Sequence, residues 1–231
     1  MRSNSSRSSR QASAPGSRRS GPFSGRKLVV LGVVFLFAVL ASWVGQDRAP
    51  SSEVTPQAGA AAERSAAQWP ALPTDQYRYA IQGQVVHVAD GDTLTVRPAG
   101  QAQRRIRLAN IDAPETGDGA ARPGQPFGAA ARRELDRLVA GQQVSLQCYE
   151  ADQYGRDVCD VLLGGNDSAN RRMVAAGYAW ANQQGKGKHL RDKYMVTLEQ
   201  QARREKQGIW AEPDAIRPWV WRYDCWQQGK C

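Results

Sequence analysis

The sequence predicts a β-rich α+β fold, a small barrel of five strands with three helices, confined to residues 77–212 of a 231-residue chain. Three observations predict it. Short runs rich in β-branched residues alternate at a period of two and are separated by Asp-Gly and other glycine-containing turns. Longer segments carry apolar residues at helical spacing and stop at glycines. Before these limits, residues 1–27 and 46–76 turn to Ser, Ala, Arg, Pro, Gly and Gln, which offer too little apolar surface to form a core. A chain of this length holds one ordinary domain with tails.

The elements follow in order. Ile81–Val88 and Thr93–Arg97 read as strands joined by the turn Ala89-Asp90-Gly91-Asp92. A third strand, Arg104–Ile111, places Ile106, Leu108 and Asn110 on one face and Arg105, Arg107 and Ala109 on the other, and ends at Asp112-Ala113-Pro114-Glu115. A Gly- and Pro-rich loop leads to a helix over Phe127–Ala140, with Leu135, Leu138 and Val139 on its apolar stripe and Gly141 as its stop. Val144–Tyr149 and Val158–Leu163 flank Asp152-Gln153-Tyr154-Gly155-Arg156 as a hairpin, which brings Cys148 close to Cys159. Helices over Ser168–Ala176 and His189–Gln207 close at Gly177 and Gly208. Strand pairing is not visible in a single sequence, so an OB-type barrel and other α+β arrangements both fit this pattern.

The N-terminal side reads as a membrane address. Residues 1–27 hold seven basic residues and no acidic one, and read as a disordered basic tail on the cytoplasmic side. Residues 28–45, Leu28 to Gly45, contain no charged side chain over 18 positions, which at helical rise spans about 27 Å, close to the apolar thickness of a bilayer. The positive flank precedes this segment, so a single-pass anchor would leave everything after Gly45 outside the cytoplasm. Cleavage as a signal segment after Val39-Leu40-Ala41 would release the remainder as a secreted protein. Residues 46–76 read as a flexible linker and residues 213–231 as a Trp- and Cys-containing C-terminal extension.

The net charge of +9 comes mostly from the tail: without its seven basic residues, 24 remain against 22 acidic ones. Bulk attraction to polyanions is therefore a weak guide, and function has to be read from particular residues. The four cysteines fall into two local pairs, Cys148 with Cys159 and Cys225 with Cys231. Their spacing and the distance of His87 and His189 disfavour a zinc site, and disulfides suit an exported chain, with free buried thiols as the alternative.

Three short motifs at turns and strand ends gather acids and arginines: Asp90-Gly91-Asp92-Thr93, Arg107 through Asp112 to Glu115, and Tyr154-Gly155-Arg156. With the strands that carry them side by side, Asp92 and Asp112 would offer hard oxygens to Ca2+, with a backbone carbonyl and waters completing its shell. Glu115 would orient or deprotonate a water at that ion. Arg107 and Arg156 would grip a phosphate, since forked guanidinium donors match its oxygens and stabilise charge that grows on them. Each residue alone has a plain structural alternative, because Asp-Gly is a common turn and a strand arginine is often a surface charge. Of the tryptophans, Trp180, Trp210, Trp219, Trp221 and Trp226 read mainly as packing for the extension, with base stacking the alternative.

Taken in order, Asp90-Gly91-Asp92-Thr93, Arg107-Leu108-Ala109-Asn110-Ile111-Asp112-Ala113-Pro114-Glu115 and Asp152-Gln153-Tyr154-Gly155-Arg156 resemble the thermonuclease family of staphylococcal-nuclease-like domains, as does Gln201–Trp210 its last helix. The tail Arg217-Pro218-Trp219-Val220-Trp221-Arg222 is similar to an extension of many bacterial members. The resemblance implies a five-stranded OB-fold barrel with three helices and hydrolysis of DNA and RNA at the 5′ oxygen, leaving 3′-phosphate ends. It implies Asp92, Asp112 and the Ala113 carbonyl as Ca2+ ligands, and Asp90 and Thr93 as their supports. Glu115 takes the place of the general base, and Arg107 and Arg156 those of the phosphate-binding arginines. Ala113 stands where the founding member has threonine, and Trp180, Asn182 and Gln183 stand near the prototype's pocket tyrosines. The expected partners are nucleic acid and, through the N-terminal helix, a membrane, with the protein a monomer. The competing expectation is a non-catalytic OB-fold module at the cell envelope that binds nucleic acid or protein without turnover.

Overall fold

The structure, a computed structural model, describes residues 69–231. The expected basic tail, membrane segment and most of the linker lie outside the described residues. Among the described residues no helix is long and apolar enough to cross a membrane.

Five strands close a barrel. The first, β1 (Tyr79–Val88), pairs antiparallel along one half with β2 (Thr93–Arg97) and along the other with β5 (Gln143–Ala151). A register shift between Val85 and His87 lets so long a strand bend from one partner to the next. From β2 the sheet runs to β3 (Arg104–Leu108), and from β5 to β6 (Asp157–Gly164). Parallel pairing of β3 with β6 through Ile106, Arg107 and Leu108 seals the seam and leaves no open edge between them. Asp157 fastens that seam, accepting from Arg104 Nε at 2.9 Å and from the Tyr79 hydroxyl at 2.7 Å. A short ladder stands beside the barrel, β4 (Ile111–Asp112) with β8 (Trp180–Ala181); β7 (Asp167–Ser168) extends β6.

Period-two alternation sends Leu94, Val96, Ile106, Leu108, Leu146 and Val161 into the barrel, where all are buried. The helices α1 (Gly128–Val139), α2 (Ala169–Ala175) and α3 (Tyr194–Arg204) cover it with Leu135, Val139, Met173, Met195 and Leu198. Trp180, Ala202, Ile209 and Trp210 form a smaller cluster, with the Trp180 and Trp210 rings edge to face at 5.0 Å.

Several expected limits move for identifiable reasons. The domain begins before Tyr77: Trp69 and Leu72 are buried, and buried Arg171 donates from Nη1 to the Pro70 carbonyl at 2.6 Å. One tryptophan and one leucine suffice to tie down a stretch whose average composition reads as linker. The third strand stops at Leu108 because Asn110 adopts a left-handed φ of 69°, so Ala109 and Asn110 are both buried instead of alternating. The last helix starts at Tyr194, not His189. Asn110 Oδ1 accepts from the amides of Arg191 and Asp192 at 2.6 and 3.1 Å, and Asp192 Oδ1 caps the Tyr194 amide at 3.1 Å. Those amides are satisfied by a distant side chain and do not enter a helical ladder.

Asn110 rests on a buried polar group. Its Nδ2 donates to Asp160 Oδ1 at 3.3 Å, while the hydroxyls of Tyr149 and Tyr77 donate to Asp160 Oδ2 at 2.7 and 2.8 Å. Burial pushes the Asp160 carboxyl up to about 6 from 3.8, although the donors from Tyr149, Tyr77 and Asn110 pull the other way. Across the same hairpin Cys148 and Cys159 face each other in register and are joined, as are Cys225 and Cys231.

Two outcomes follow. A Cys148→Ala/Cys159→Ala double variant should lose about 2 to 3 kcal/mol in urea unfolding, the entropy of a short closed loop. In chelator, the stability of the unaltered chain should fall as pH rises from about 4 to about 6, relative to Asp160→Asn. In that window the folded state holds a proton that the unfolded chain has released, so the contribution is full below 3.8 and gone above 6. A stability difference between the two proteins that stays constant across that window would remove Asp160 as the titrating group.

Candidate active site

The turn between β1 and β2 carries the first acids. Asp90 Oδ1 accepts from the Asp92 amide at 2.9 Å, which folds the turn on itself and directs the Asp92 side chain inward to 6 % exposure. There Asp92 Oδ2 accepts from the Ala113 amide at 2.7 Å and Oδ1 from the Thr93 hydroxyl at 3.2 Å. The turn can approach so closely because Gly91 lacks a side chain. A Cβ there would stand 2.7 Å from the Cβ atoms of both Ala113 and Ala131, so three of the smallest residues join the turn, the residue after β4 and α1.

The second acids come from the chain after β3. The left-handed turn at Asn110 redirects the backbone so that Asp112, 1 % exposed, lies in β4 beside Arg107 of β3. Pro114 then leads to Glu115, whose carbonyl accepts from the Gln125 amide at 2.8 Å. The first turn of α1 presses on the same carbonyl: a Cβ on Gly128 would lie 2.1 Å from it. Glu115 is thus held at its backbone from two sides.

Two guanidinium groups connect the three carboxylates. Arg107 places Nη1 3.0 Å from Asp92 Oδ2 and Nη2 2.9 Å from Asp112 Oδ1. Arg222, from the C-terminal extension, places Nη1 3.1 Å from Asp112 Oδ1 and 2.5 Å from Glu115 Oε1, and Nη2 2.8 Å from Asp112 Oδ2. Burial raises the pKa of Asp92 well above the usual carboxylate range, with Arg107 opposing and Asp90 and Asp112 adding to the rise. Burial also raises Glu115, against the pull of Arg222. Burial alone would lower Arg107, but Asp92 and Asp112 outweigh it and its pKa rises.

The expected residues therefore fall into two groups. Asp90, Asp92, Thr93, Arg107, Asp112, Ala113 and Glu115 come together at one end of a cleft of about 970 Å³. Arg156 lines the same cleft but stays on its wall, because Asp152 takes its Nε at 2.8 Å and the Tyr154 ring lies beneath it at 5.5 Å. Trp180 is buried, whereas Asn182, Gln184 and exposed His189 line the cleft. Sequence reasoning missed Arg222 as a site residue. Its signal, an arginine following a Trp-Val-Trp run after Pro218, had been read only as part of an extension. Asn110 was missed as an organiser; a polar residue on the apolar face of a strand was the available signal.

Among the described residues no three or more His, Cys, Asp or Glu side chains surround a single point closely enough to hold a metal. Glu115 stands on the far side of Arg222, which leaves Asp92 and Asp112, with the neighbouring Ala113 backbone, as the donor set. All are hard oxygens. The carboxylates of Asp92, Asp112 and Glu115 are paired with the guanidinium groups of Arg107 and Arg222, three acids to two arginines. Hard oxygen donors of this kind suit one hard dication.

A family model described as staphylococcal nuclease homologue matches residues 105–212. The chain is 37 % identical over 155 residues to an uncharacterized endonuclease of Escherichia coli O157:H7, covering 67 % of this chain and 90 % of the relative. It is 40 % identical over 150 residues to a micrococcal nuclease of Shigella flexneri, covering 62 % of this chain and 80 % of the relative. Similarity also reaches Protein ParB of Escherichia coli, at 35 % over 151 residues, 62 % of this chain and 79 % of the relative. The closed five-stranded barrel, the acids and arginine gathered at one end of its cleft and these similarities agree, and the chain belongs to the staphylococcal nuclease family, as a hydrolase of phosphodiester bonds in nucleic acids.

Proposed function

We propose that this nuclease is a Ca2+-dependent endonuclease that acts outside the cytoplasmic membrane and cuts DNA or RNA at the 5′ oxygen to leave 3′-phosphate ends. The observation that carries the reading is the single network Asp92–Arg107–Asp112–Arg222–Glu115 lining one cleft. Asp92, Asp112 and the Ala113 carbonyl would hold the ion, which supplies Lewis-acid stabilisation of the phosphate. Calcium suits a site of oxygen donors with waters completing its shell better than it suits one with nitrogen or sulfur.

The remaining chemistry belongs to the protein's own side chains. Glu115, its backbone fixed by Gln125 and Gly128, receives a proton from the attacking water and keeps the water in line with the phosphorus. Its raised pKa brings it closer to the working pH than an exposed carboxylate would be. Arg107 holds a non-bridging phosphate oxygen from the barrel side, and Arg156, which lines the same cleft, offers a second guanidinium. Export is supported by the uncharged segment 28–45 and by the pairing of Cys148 with Cys159 and Cys225 with Cys231.

The decisive measurement is digestion of single-stranded DNA by the full chain in mild detergent, with calcium or with chelator, and end-group analysis of the products. Chelator-sensitive cleavage with 3′-phosphate ends is expected; cleavage indifferent to chelator would reject the metal. Glu115→Ala should reduce turnover by about 100-fold or more while sparing nucleotide binding, and Arg156→Ala should weaken both. Calcium affinity should fall as pH is lowered toward the range where Asp92 protonates, since its carboxyl is raised and the ion must displace its proton. Calorimetry in buffers of different ionisation enthalpy reads the released proton directly; no release would contradict the assignment of Asp92 as a ligand.

A further inference from the structure

Arg222 forms ion pairs with two of the three central carboxylates, yet it lies about a hundred residues away from them in a segment that is not part of the barrel. The extension is built to bring it there. Pro218 and Cys225 are buried, Gln125 Nε2 donates to the Ile216 carbonyl at 2.5 Å, and the indoles of Trp221 and Trp226 both donate to the Pro123 carbonyl, at 3.1 and 3.0 Å. The Cys225–Cys231 bridge closes the end of the segment. Pro123 and Gln125 belong to the loop that follows Glu115, so the extension is fixed to the same stretch of chain that fixes Glu115.

We propose that Arg222 is a further phosphate-directed cation of the nuclease site, supplied by the C-terminal extension. The inference rests on the nuclease reading above. Arg107 and Arg222 flank Asp112 from two sides, Arg107 on Oδ1 and Arg222 on both oxygens. A dication at Asp112 would repel both guanidinium groups across a few ångströms, and they would then need an anion. A phosphodiester has two non-bridging oxygens, and forked donors on either side of the ion match that pair. Arg222 is 30 % exposed at its side chain and opens onto the cleft, so it can transfer from carboxylate to phosphate by rotating its side chain while the extension stays fixed. In the absence of substrate it stands between Asp112 and Glu115 and pairs with both. The extension is in this way a wall of the active site, with Trp219, Tyr223 and Trp226 beside Arg222 on the same rim.

The test uses the full chain in mild detergent and four proteins: unaltered, Arg222→Ala, Arg222→Lys and Arg217→Ala, the last an exposed charge of the same extension. Thymidine 3′-phosphate, which contains no phosphodiester bond, is titrated calorimetrically at saturating calcium, and calcium is titrated alone. Arg222→Ala should weaken mononucleotide binding about 10- to 100-fold, the contribution of a charge-assisted pair of hydrogen bonds. Its calcium affinity should be equal or higher, Arg222→Lys should recover part of the loss, and Arg217→Ala should match the unaltered chain. Unchanged mononucleotide affinity with tighter calcium binding would make Arg222 a mere competitor of the ion and overturn the proposal. Parallel loss of calcium binding, nucleotide binding and melting temperature would also overturn it, in favour of a structural peg. Should the unaltered chain fail to cut DNA while Arg222→Ala still loses the mononucleotide, the endonuclease reading fails and the phosphate role of Arg222 stands. Cleavage by the unaltered chain with full mononucleotide affinity in Arg222→Ala has the opposite meaning.

Discussion

Carboxylates buried side by side repel one another, and the architecture of this protein depends on the cation that holds the first two together. Arg107 bridges Asp92 and Asp112 at 3.0 and 2.9 Å, and the three residues come from the β1–β2 turn, β3 and β4. Losing one partner of such a set would leave an unpaired buried charge, which is far costlier than the net worth of the pair. The barrel supplies what the bridge requires. Adjacent β2 and β3 put Thr93 opposite Arg107, and the parallel seam of β3 with β6 fixes the strand that carries the arginine.

The small residues around this bridge are as necessary as the charged ones. Gly91, Ala113 and Ala131 meet at distances that leave no room for another methyl group, and Gly128 lets α1 rest on the Glu115 carbonyl. Close packing transmits position, so the helix start and the acidic turn move as one body. A site held this way does not need long side chains to find each other from flexible loops. Its acids are placed by backbone, and the arginines then adjust to them.

Much of this was legible in the sequence, and the reasons for the remainder are specific. The strand pattern was readable because half-buried strands must alternate, and the motif residues were readable because acids and arginines at strand ends have few structural uses in such density. Cys148 and Cys159 could be paired from the hairpin alone. The break at Asn110 was not readable: its polar side chain on an apolar face meets Asp160, Arg191 and Asp192, partners 50 to 82 positions away. The start of α3 was misplaced for the same reason, since the same asparagine accepts the amides that a helix would have used. Trp69 and Leu72 were hidden by averaging over a linker-like composition. Arg222 was hidden because its role depends on where a tail docks, and docking is a property of the loop around Pro123, not of the tail.

The electrostatics of the assembled site explain why the tail matters. Burial raises Asp92 and Glu115, which by itself would favour neutral acids that bind a hard cation poorly. Arg107 opposes that tendency at Asp92, and Arg222 opposes it at Glu115. With a dication bound at Asp112, that ion and two guanidinium groups would surround one carboxylate. The site then has a surplus of positive charge directed at the same small volume, and a phosphodiester is the anion whose shape meets forked donors on both sides. Ion and substrate therefore favour each other's binding, and the extension, by adding the second guanidinium, increases that mutual dependence.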